Sequence, residues 1–508
     1  MTDAEPTARS ADGSDQLAFA TNRGRWVLAA TVLGSGIVAL DATVVGIALP
    51  TIGRAFHSGV GTLQWVVSGY ALTLAAFLLL GGSLGDRMGR KRVFSIGIVW
   101  FAVASVGCGL APSAGTLIAA RVLQGVGGAL LAPASLAILQ ASFQPDDRAR
   151  AIGAWSGLGG VATAAGPLLG GYLIAAASWR WVFFINLPVA VVVLVMTARH
   201  VPETRDPSTA GHVDFLGAGL AVLFLAGLTY GLIEAPTGWT NPAVLVSLLV
   251  AALTAPAFLV VEHRRANPML PLGVFRSRQF SGANAVTFAV YGALGGALFL
   301  LPVELQLVVN YSPLQSGLAL LPVTFIMLLF SARSGQLAAR IGPRLQMTAG
   351  PFVVAAGLLL LTRATHSGNY LVQVLPAVVV FGIGLAITVA PLTSTAMGAA
   401  PAEHAGVASA VNNVVARAAG LLAVAVLPLL AGITGAAALD PHHFADGFRH
   451  AMVIAGLTCA AGGLLAAATI RNPKNAPGLL DHHRRTYCCA LDATPLQAGE
   501  VADGATTP

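Results

Sequence analysis

Asp41, Arg121 and Arg417 are the residues from which any chemistry in this chain must start. Each lies inside an apolar run long enough to cross a bilayer. An ionised side chain at that depth costs at least ~2.5 kcal/mol on insertion scales, so a charge placed there is read first as functional. With the first run ending near Pro50 and a helical rise of ~1.5 Å per residue, Asp41 lies ~14 Å below the outer edge. Arg121, counted inward from Gly115, lies ~9 Å deep, a difference that a long side chain spans. A carboxylate that meets and leaves a guanidinium releases and loads a proton, which is the chemistry of proton-coupled transport. A pair that merely holds two helices together would use the same residues. Arg417, beside Asn412 and Asn413, has no obvious buried acid to match. It could bind an anionic substrate, cap backbone carbonyls or reach Glu304. Glu304 itself falls at the outer end of the ninth run, where the expectation is an interfacial charge.

The elements that hold these residues must be membrane helices. Of 508 residues 56% are hydrophobic and only 10% charged, against about a quarter charged in soluble proteins. Mean hydropathy is +0.77. A span needs roughly 20 apolar residues, and fourteen such runs fall between residues 26 and 470, starting at about 26–50, 63–82 and 94–112 and ending at about 406–432 and 451–470. An even count leaves both ends on one side. If that side is cytosolic, 22 of the 28 Lys and Arg residues lie inside, four outside and two within spans. Positive charge marks the cytosolic side, so both termini are expected there, in the inner (cytoplasmic) membrane of a bacterium.

That distribution explains the pI near 9.6 without a nucleic-acid partner. Membrane lipid is the partner that the basic loops imply. Nucleotide is excluded as well. A phosphate-binding loop needs Gly-Lys-Ser/Thr, and the only lysines, Lys91 and Lys474, follow Arg and Pro. No paired acid, base or metal ligands occupy the spans, so neither catalytic residues nor a cofactor are expected. His442, His443 and His450 with Asp440 and Asp446 read as a solvated outer loop. His482, His483, Cys488 and Cys489 read as part of a disordered tail, and neither group has a structural zinc spacing.

An internal repeat gives the architecture. Gly82, Leu84, Arg87 and Gly89 between runs 2 and 3 recur in register as Gly335, Leu337, Arg340 and Gly342 between runs 10 and 11. An offset of eight runs is a six-helix repeat plus two inserted helices. Several motifs then resemble the major facilitator superfamily, in its fourteen-helix drug:proton antiporter branch. They are Leu40-Asp41 through Pro50; the loop Gly82 to Arg92; Arg121 with Gln124-Gly125; Gly157 to Gly171, ending Gly166-Pro167 and Gly170-Gly171; and Trp179-Arg180-Trp181 with Asn186 and Pro188. The resemblance runs from the first span to the last, although Gly46 stands where that branch usually has Asn.

The resemblance implies an all-α major facilitator fold of two six-helix bundles plus two inserted helices. The expected divisions are a cytosolic tail (1–25), an N-terminal bundle (26–198), the inserted pair with its loops (199–281), a C-terminal bundle (282–470) and a disordered cytosolic tail (471–508). It implies a non-enzymatic, proton-driven exporter of small organic molecules working by alternating access, with proton coupling at Asp41 and Arg121. Gly82, Asp86, Arg87, Gly89 and Arg90 would form a cytosolic gate, and Gly166, Pro167, Gly170 and Gly171 the antiporter motif. The substrate cavity is expected to draw on Trp65, Tyr70, Gln124, Glu304, Asn412 and Arg417. A transporter of an endogenous metabolite, importer or exporter, is the nearest alternative.

Overall fold

The computed structural model describes residues 17–205, 214–265, 268–364, 369–399, 405–435, 438 and 440–472. Among them fourteen helices are long and apolar enough to cross a membrane. The first six are α1 (Asn22–Phe56), α2 (Val60–Met88), α3 (Arg90–Gly109), α4 (Ala114–Ser142), α5 (Pro145–Ala176) and α6 (Trp181–His200). Then come α7 (Phe215–Thr237) and α8 (Pro242–Arg264). The last six are α9 (Arg278–Leu307), α10 (Pro313–Ile341), α11 (Arg344–Leu361), α12 (Tyr370–Gly398), α13 (Val407–Leu430) and α14 (Pro441–Thr469). A helix satisfies its backbone polar groups within itself, which is what lipid demands of a spanning segment. The described chain begins at Leu17 and ends at Asn472 on one face, here the tail face; the opposite one is the far face.

Several helices outrun their apolar runs because capping groups extend them. Asp440 accepts hydrogen bonds from the backbone N–H groups of His442 and His443, and Pro441 supplies a preset first turn. His442, His443, Asp446 and His450 therefore belong to the opening turns of α14, not to a loop. At the other end of the chain, Leu17 N–H donates to Ser142 O (2.7 Å) and Phe19 N–H to Asp147 Oδ2 (2.7 Å). The stretch from Leu17, part of the expected N-terminal tail, is thus folded against α4 and α5. The remainder of that tail, and the C-terminal one with His482, His483, Cys488 and Cys489, lie outside the described residues.

The two halves repeat one another. In the first, α2 lies on α4, α3 on α4 and α1 on α5; eight spans later α10 lies on α12, α11 on α12 and α9 on α13. The halves meet where α5 packs on α10, α2 on α13 and α1 on α9. The inserted pair stands aside: α7 rests on α2 and α13, and α8 packs chiefly on α7. Leu245, Val246, Leu249, Leu253 and Leu259 of α8 are exposed, a surface suited to lipid. At its tail-face end the pair is tied by Asp214, which caps Gly217 N–H (2.7 Å) and pairs with Arg265 (3.1 Å).

Candidate functional site

Five helices of the first half converge on Asp41. Its carboxyl is fully buried on α1. Oδ2 accepts from Arg121 of α4 at 2.5 Å, while Oδ1 accepts from Gln124 Nε2 at 2.9 Å and Asn186 Nδ2 at 3.2 Å. Arg121 and Gln124 share one side of α4 because residues three apart on a helix are neighbours. Gln124 and Asn186 each donate a second hydrogen bond to Ser105 Oγ of α3 (2.7 and 3.0 Å). Arg121 also donates to Gln124 Oε1 (2.7 Å) and to the Val66 carbonyl of α2 (3.1 Å). Its guanidinium lies 4.2 Å from the Tyr70 ring centroid and 5.9 Å from that of Phe183.

Three donors thus face two carboxyl oxygens, the surroundings of an ionised carboxylate. A proton that joins Asp41 removes the charge that these donors, Arg121 above all, are placed to meet. The buried pair is costly to break by halves: removing one partner of such a pair typically destabilises by about 3–5 kcal/mol.

The far face is shut. Gln64 of α2 donates across the halves to the carbonyls of Val424 and Ala425 on α13 (2.7 and 3.3 Å), and Gln306 of α9 donates to Ile47 of α1 (2.9 Å). Where α5 meets α10, a Cβ on Gly171 would come within 2.7 Å of Pro313 O, and one on Gly317 would strike Pro167 O. Only glycine permits this approach. Gly166 and Gly170 likewise press on Thr43 and Val44 of α1.

Toward the tail face the arrangement reverses. Gly153, Gly157, Gly159 and Gly160 of α5 have no atom within 4 Å of a would-be Cβ. Gly153 and Gly157, spaced as small-residue pairs that seat a neighbouring helix are, therefore seat none here. Among the described residues each polar tie on this face stays within one half, such as Arg23 to His200 O (3.2 Å) and Arg344 to Ala467 O (2.9 Å). The molecule is closed at the far face and parted at the tail face.

The segment between α2 and α3 is a single residue, Gly89, at φ +107°, a conformation that side chains other than glycine's rarely tolerate. Asp86 and Arg90 pair across it at 2.8 Å. Glu203, from beyond α6, accepts from Lys91 N–H at 3.1 Å. The second half copies the design: Gly342 sits at φ +86°, and Asn472, from beyond α14, accepts from Arg344 N–H at 3.1 Å. Gly82 meets only ordinary contact with Pro133, whereas Gly81 touches the α4 backbone. Arg87 Nε is buried without a hydrogen-bond partner.

The structure redistributes the residues expected around a cavity. Gln124 is fully buried in the Asp41 network, and Tyr70, 3% exposed, belongs to the same cluster. Trp65 turns outward to α7, where its indole N–H donates to Glu234 (3.1 Å) and its ring lies 5.9 Å from Tyr230. Asn412 is held inside the second half, donating to Asn284 Oδ1 (3.2 Å) and Thr287 Oγ1 (2.8 Å) of α9. Glu304 is not an interfacial charge: it is fully buried and neither carboxyl oxygen has a hydrogen-bond partner. Its depth along α9 was read correctly, but the helix turns that side into the protein. It also means that Asp41 is not the only acid enclosed by the spans. Arg417 alone remains half-buried at mid-span, near Tyr70 and Tyr291. Ser105, Phe183 and the role of Asn186 were missed, because small polar residues and aromatics are commonplace in spans.

Two pseudo-equivalent bundles, joined by an inserted pair and parted on one face, define a polytopic membrane transporter. The chain belongs to the Major Facilitator Superfamily, whose family profile matches residues 31–425, and within it to the fourteen-helix drug:proton antiporter branch. It is 37% identical to the multidrug resistance protein Stp of Mycobacterium tuberculosis over 82% of this chain and 77% of that protein. It is 37% identical to the tetracenomycin C resistance and export protein of Streptomyces glaucescens, over 80% and 76%. The puromycin resistance protein of Streptomyces alboniger is 36% identical over 88% and 90%. Among solved structures, an inward-facing bacterial homologue of the human lysosomal transporter Spinster superposes with a TM-score of 0.64 at 17% identity, covering 89% of this chain and 98% of that one.

Proposed function

We propose that the protein expels small organic molecules, drugs or antibiotics among them, from the cytosol in exchange for protons, with no cofactor and no catalytic step. The observation that carries this reading is the Asp41–Arg121 network, a hydrogen-bonded ion pair sealed in the first half while the tail face stands open. The 22-to-four distribution of basic residues makes that face cytosolic. In the open state substrate enters from the cytosol while Arg121 holds Asp41 unprotonated. Opening of the far face admits a proton, which displaces Arg121 from Asp41 and lets substrate leave. Return to the present state restores the pair and discharges the proton inward. The relatives' names, multidrug resistance and tetracenomycin C resistance and export, support the direction of transport.

Everted membrane vesicles containing the protein test this. Respiration or ATP hydrolysis acidifies their interior, and at least one member of a panel of cationic, neutral and anionic drugs is expected to accumulate until an uncoupler is added. Accumulation that ignores the uncoupler sinks the proton coupling.

A further inference from the structure

Arg417 is the one membrane-embedded guanidinium that the mechanism above does not use, and its surroundings specify a ligand. It sits on α13 thirteen residues from the far-face end at Leu430 and ten from the tail-face end at Val407. Tyr70, on the first half, and Tyr291, on the second, both lie close enough to act on it electrostatically, which puts the head group near the seam between the halves. Its Nε is buried without a hydrogen-bond partner, and among the described residues nothing forms an ion pair with it. The residue as a whole is half-buried. At mid-span a half-buried guanidinium belongs to the cleft, because facing hydrocarbon is costly.

Acids that could serve it are all committed or distant. Asp41 is fully buried and held by Arg121, Gln124 and Asn186. Asp86 pairs with Arg90 at the tail face, and Glu234 on α7 accepts from Trp65. Glu304 is one turn from the far end of α9, about 15 Å from the level of Arg417. The helices α12 and α13 contain no acid. The cleft therefore carries a free positive charge and no free negative one.

We infer that the transported molecules are organic anions, an apolar body bearing a carboxylate or enolate that Arg417 grips beside Tyr291. This rests on the export reading and narrows its substrate class. A planar guanidinium offers paired donors that match two oxygens of one acid group, while the half-buried Tyr291 supplies apolar contact beside it. An inside-negative membrane potential drives such an anion outward, so the charge on the substrate and the charge on the proton work in the same direction.

The test uses two probes with one apolar body and opposite charge, pyrenebutanoate and pyrenebutyl-trimethylammonium. Binding to the purified full-length chain is read by fluorescence anisotropy, and transport by uncoupler-sensitive uptake into everted vesicles. The wild-type protein is expected to bind the carboxylate at least about tenfold tighter than the ammonium, the scale of a charge-assisted contact. Arg417→Gln should erase that preference, and Arg417→Lys should keep part of it because charge survives but the fork does not. Equal or tighter binding of the ammonium by the wild type overturns the inference, with no variant needed. So does carboxylate binding that Arg417→Gln leaves unchanged in a protein that elutes as a single species. If carboxylate binding depends on Arg417 yet neither probe accumulates, the inference stands and the export reading fails.

Discussion

Asp41 and Asn412 hold corresponding kinds of position in opposite halves, each a polar side chain bonded to neighbouring spans, yet one cluster is ionic and the other is neutral. Around Asp41 a carboxylate, a guanidinium and two amides interlock across five helices. Around Asn412 the partners are Asn284 and Thr287, both on α9. The loops differ in the same sense. Gly89 and Gly342 turn alike, but the position of Asp86 in the first loop is Ala339 in the second. The backbone is thus symmetric and the charge chemistry is not. Rocking two bundles requires matched helices in both, whereas loading a proton requires a titratable pair in only one.

The largest expected effect comes from Asp41→Asn. An amide keeps the shape of the carboxyl but cannot change charge, and the membrane potential acts at about 2.3 kcal/mol per charge per 100 mV only on a carrier whose charge changes. Accumulation in everted vesicles should fall to equilibration, while downhill exchange survives. The variant also leaves Arg121 buried without its acid, with an expected loss of about 3–5 kcal/mol. Asp41→Asn with Arg121→Gln should restore much of the thermal stability and none of the accumulation. If the single variant still builds an uncoupler-sensitive gradient, the contrast between the halves collapses and Glu304 becomes the residue to test.

Gly317→Leu comes next. Its side chain would collide with the Pro167 carbonyl where α10 meets α5, so the far face should no longer close. Transport should drop at least about tenfold, since overpacking such a contact costs about 1–3 kcal/mol. A cysteine placed near Gln315 should become reactive from the far side. Unchanged reactivity would mean that the seal lies with Gln64 and Gln306 instead.

Fourteen spans, their pairing by an eight-span offset and the union of Asp41 with Arg121 were all legible in the sequence. They rest on apolar run length, on a recurring Gly-Leu-Arg-Gly loop and on the rarity of charge in lipid. What escaped is what depends on rotation about a helix axis. Trp65 and Tyr70 lie five residues apart on α2, yet one faces the inserted pair and the other the ion pair. Glu304 lies near a helix end, which suggests solvent, but packing turns it inward. Ser105 carries no signal of its own, and Asn186 stands out only as part of a motif that does not disclose its role. They matter only because α3 and α6 bring them to a carboxylate that lies far away in the chain.

Asp86→Asn is expected to act more gently. In the present state Asp86 pairs with Arg90 one turn away, both partly exposed, and an exposed pair of this kind contributes about 0.3–0.5 kcal/mol. Folding should be unaffected. Transport should still fall severalfold, because the tail face must close in the other half of the cycle and Asp86 has no acidic counterpart in the second half to take its place. An unaltered rate would reduce the loop to an anchor for anionic lipid.

The smallest effect, and the sharpest check on the contrast, belongs to Asn412→Ala. Its amide makes two hydrogen bonds to α9, each contributing about 0.5–1.5 kcal/mol net. Removing it leaves Asn284 Oδ1 without this donor and opens a small gap, so the melting temperature should fall by a few degrees. No charge is gained or lost, and no group that could carry a proton is touched. Accumulation ratios should therefore match the wild type once corrected for the amount of folded protein. Asn412→Asp gives the complementary result. It places a carboxyl at mid-span in the second half, turned toward Asn284 and Thr287 of α9 and on a different side of α13 from Arg417, five residues on. If the second half is only a moving wall, that variant should lose stability through the buried acid yet keep the accumulation ratio of the wild type. Should Asn412→Ala abolish the gradient as fully as Asp41→Asn, proton handling would have to be shared between the halves.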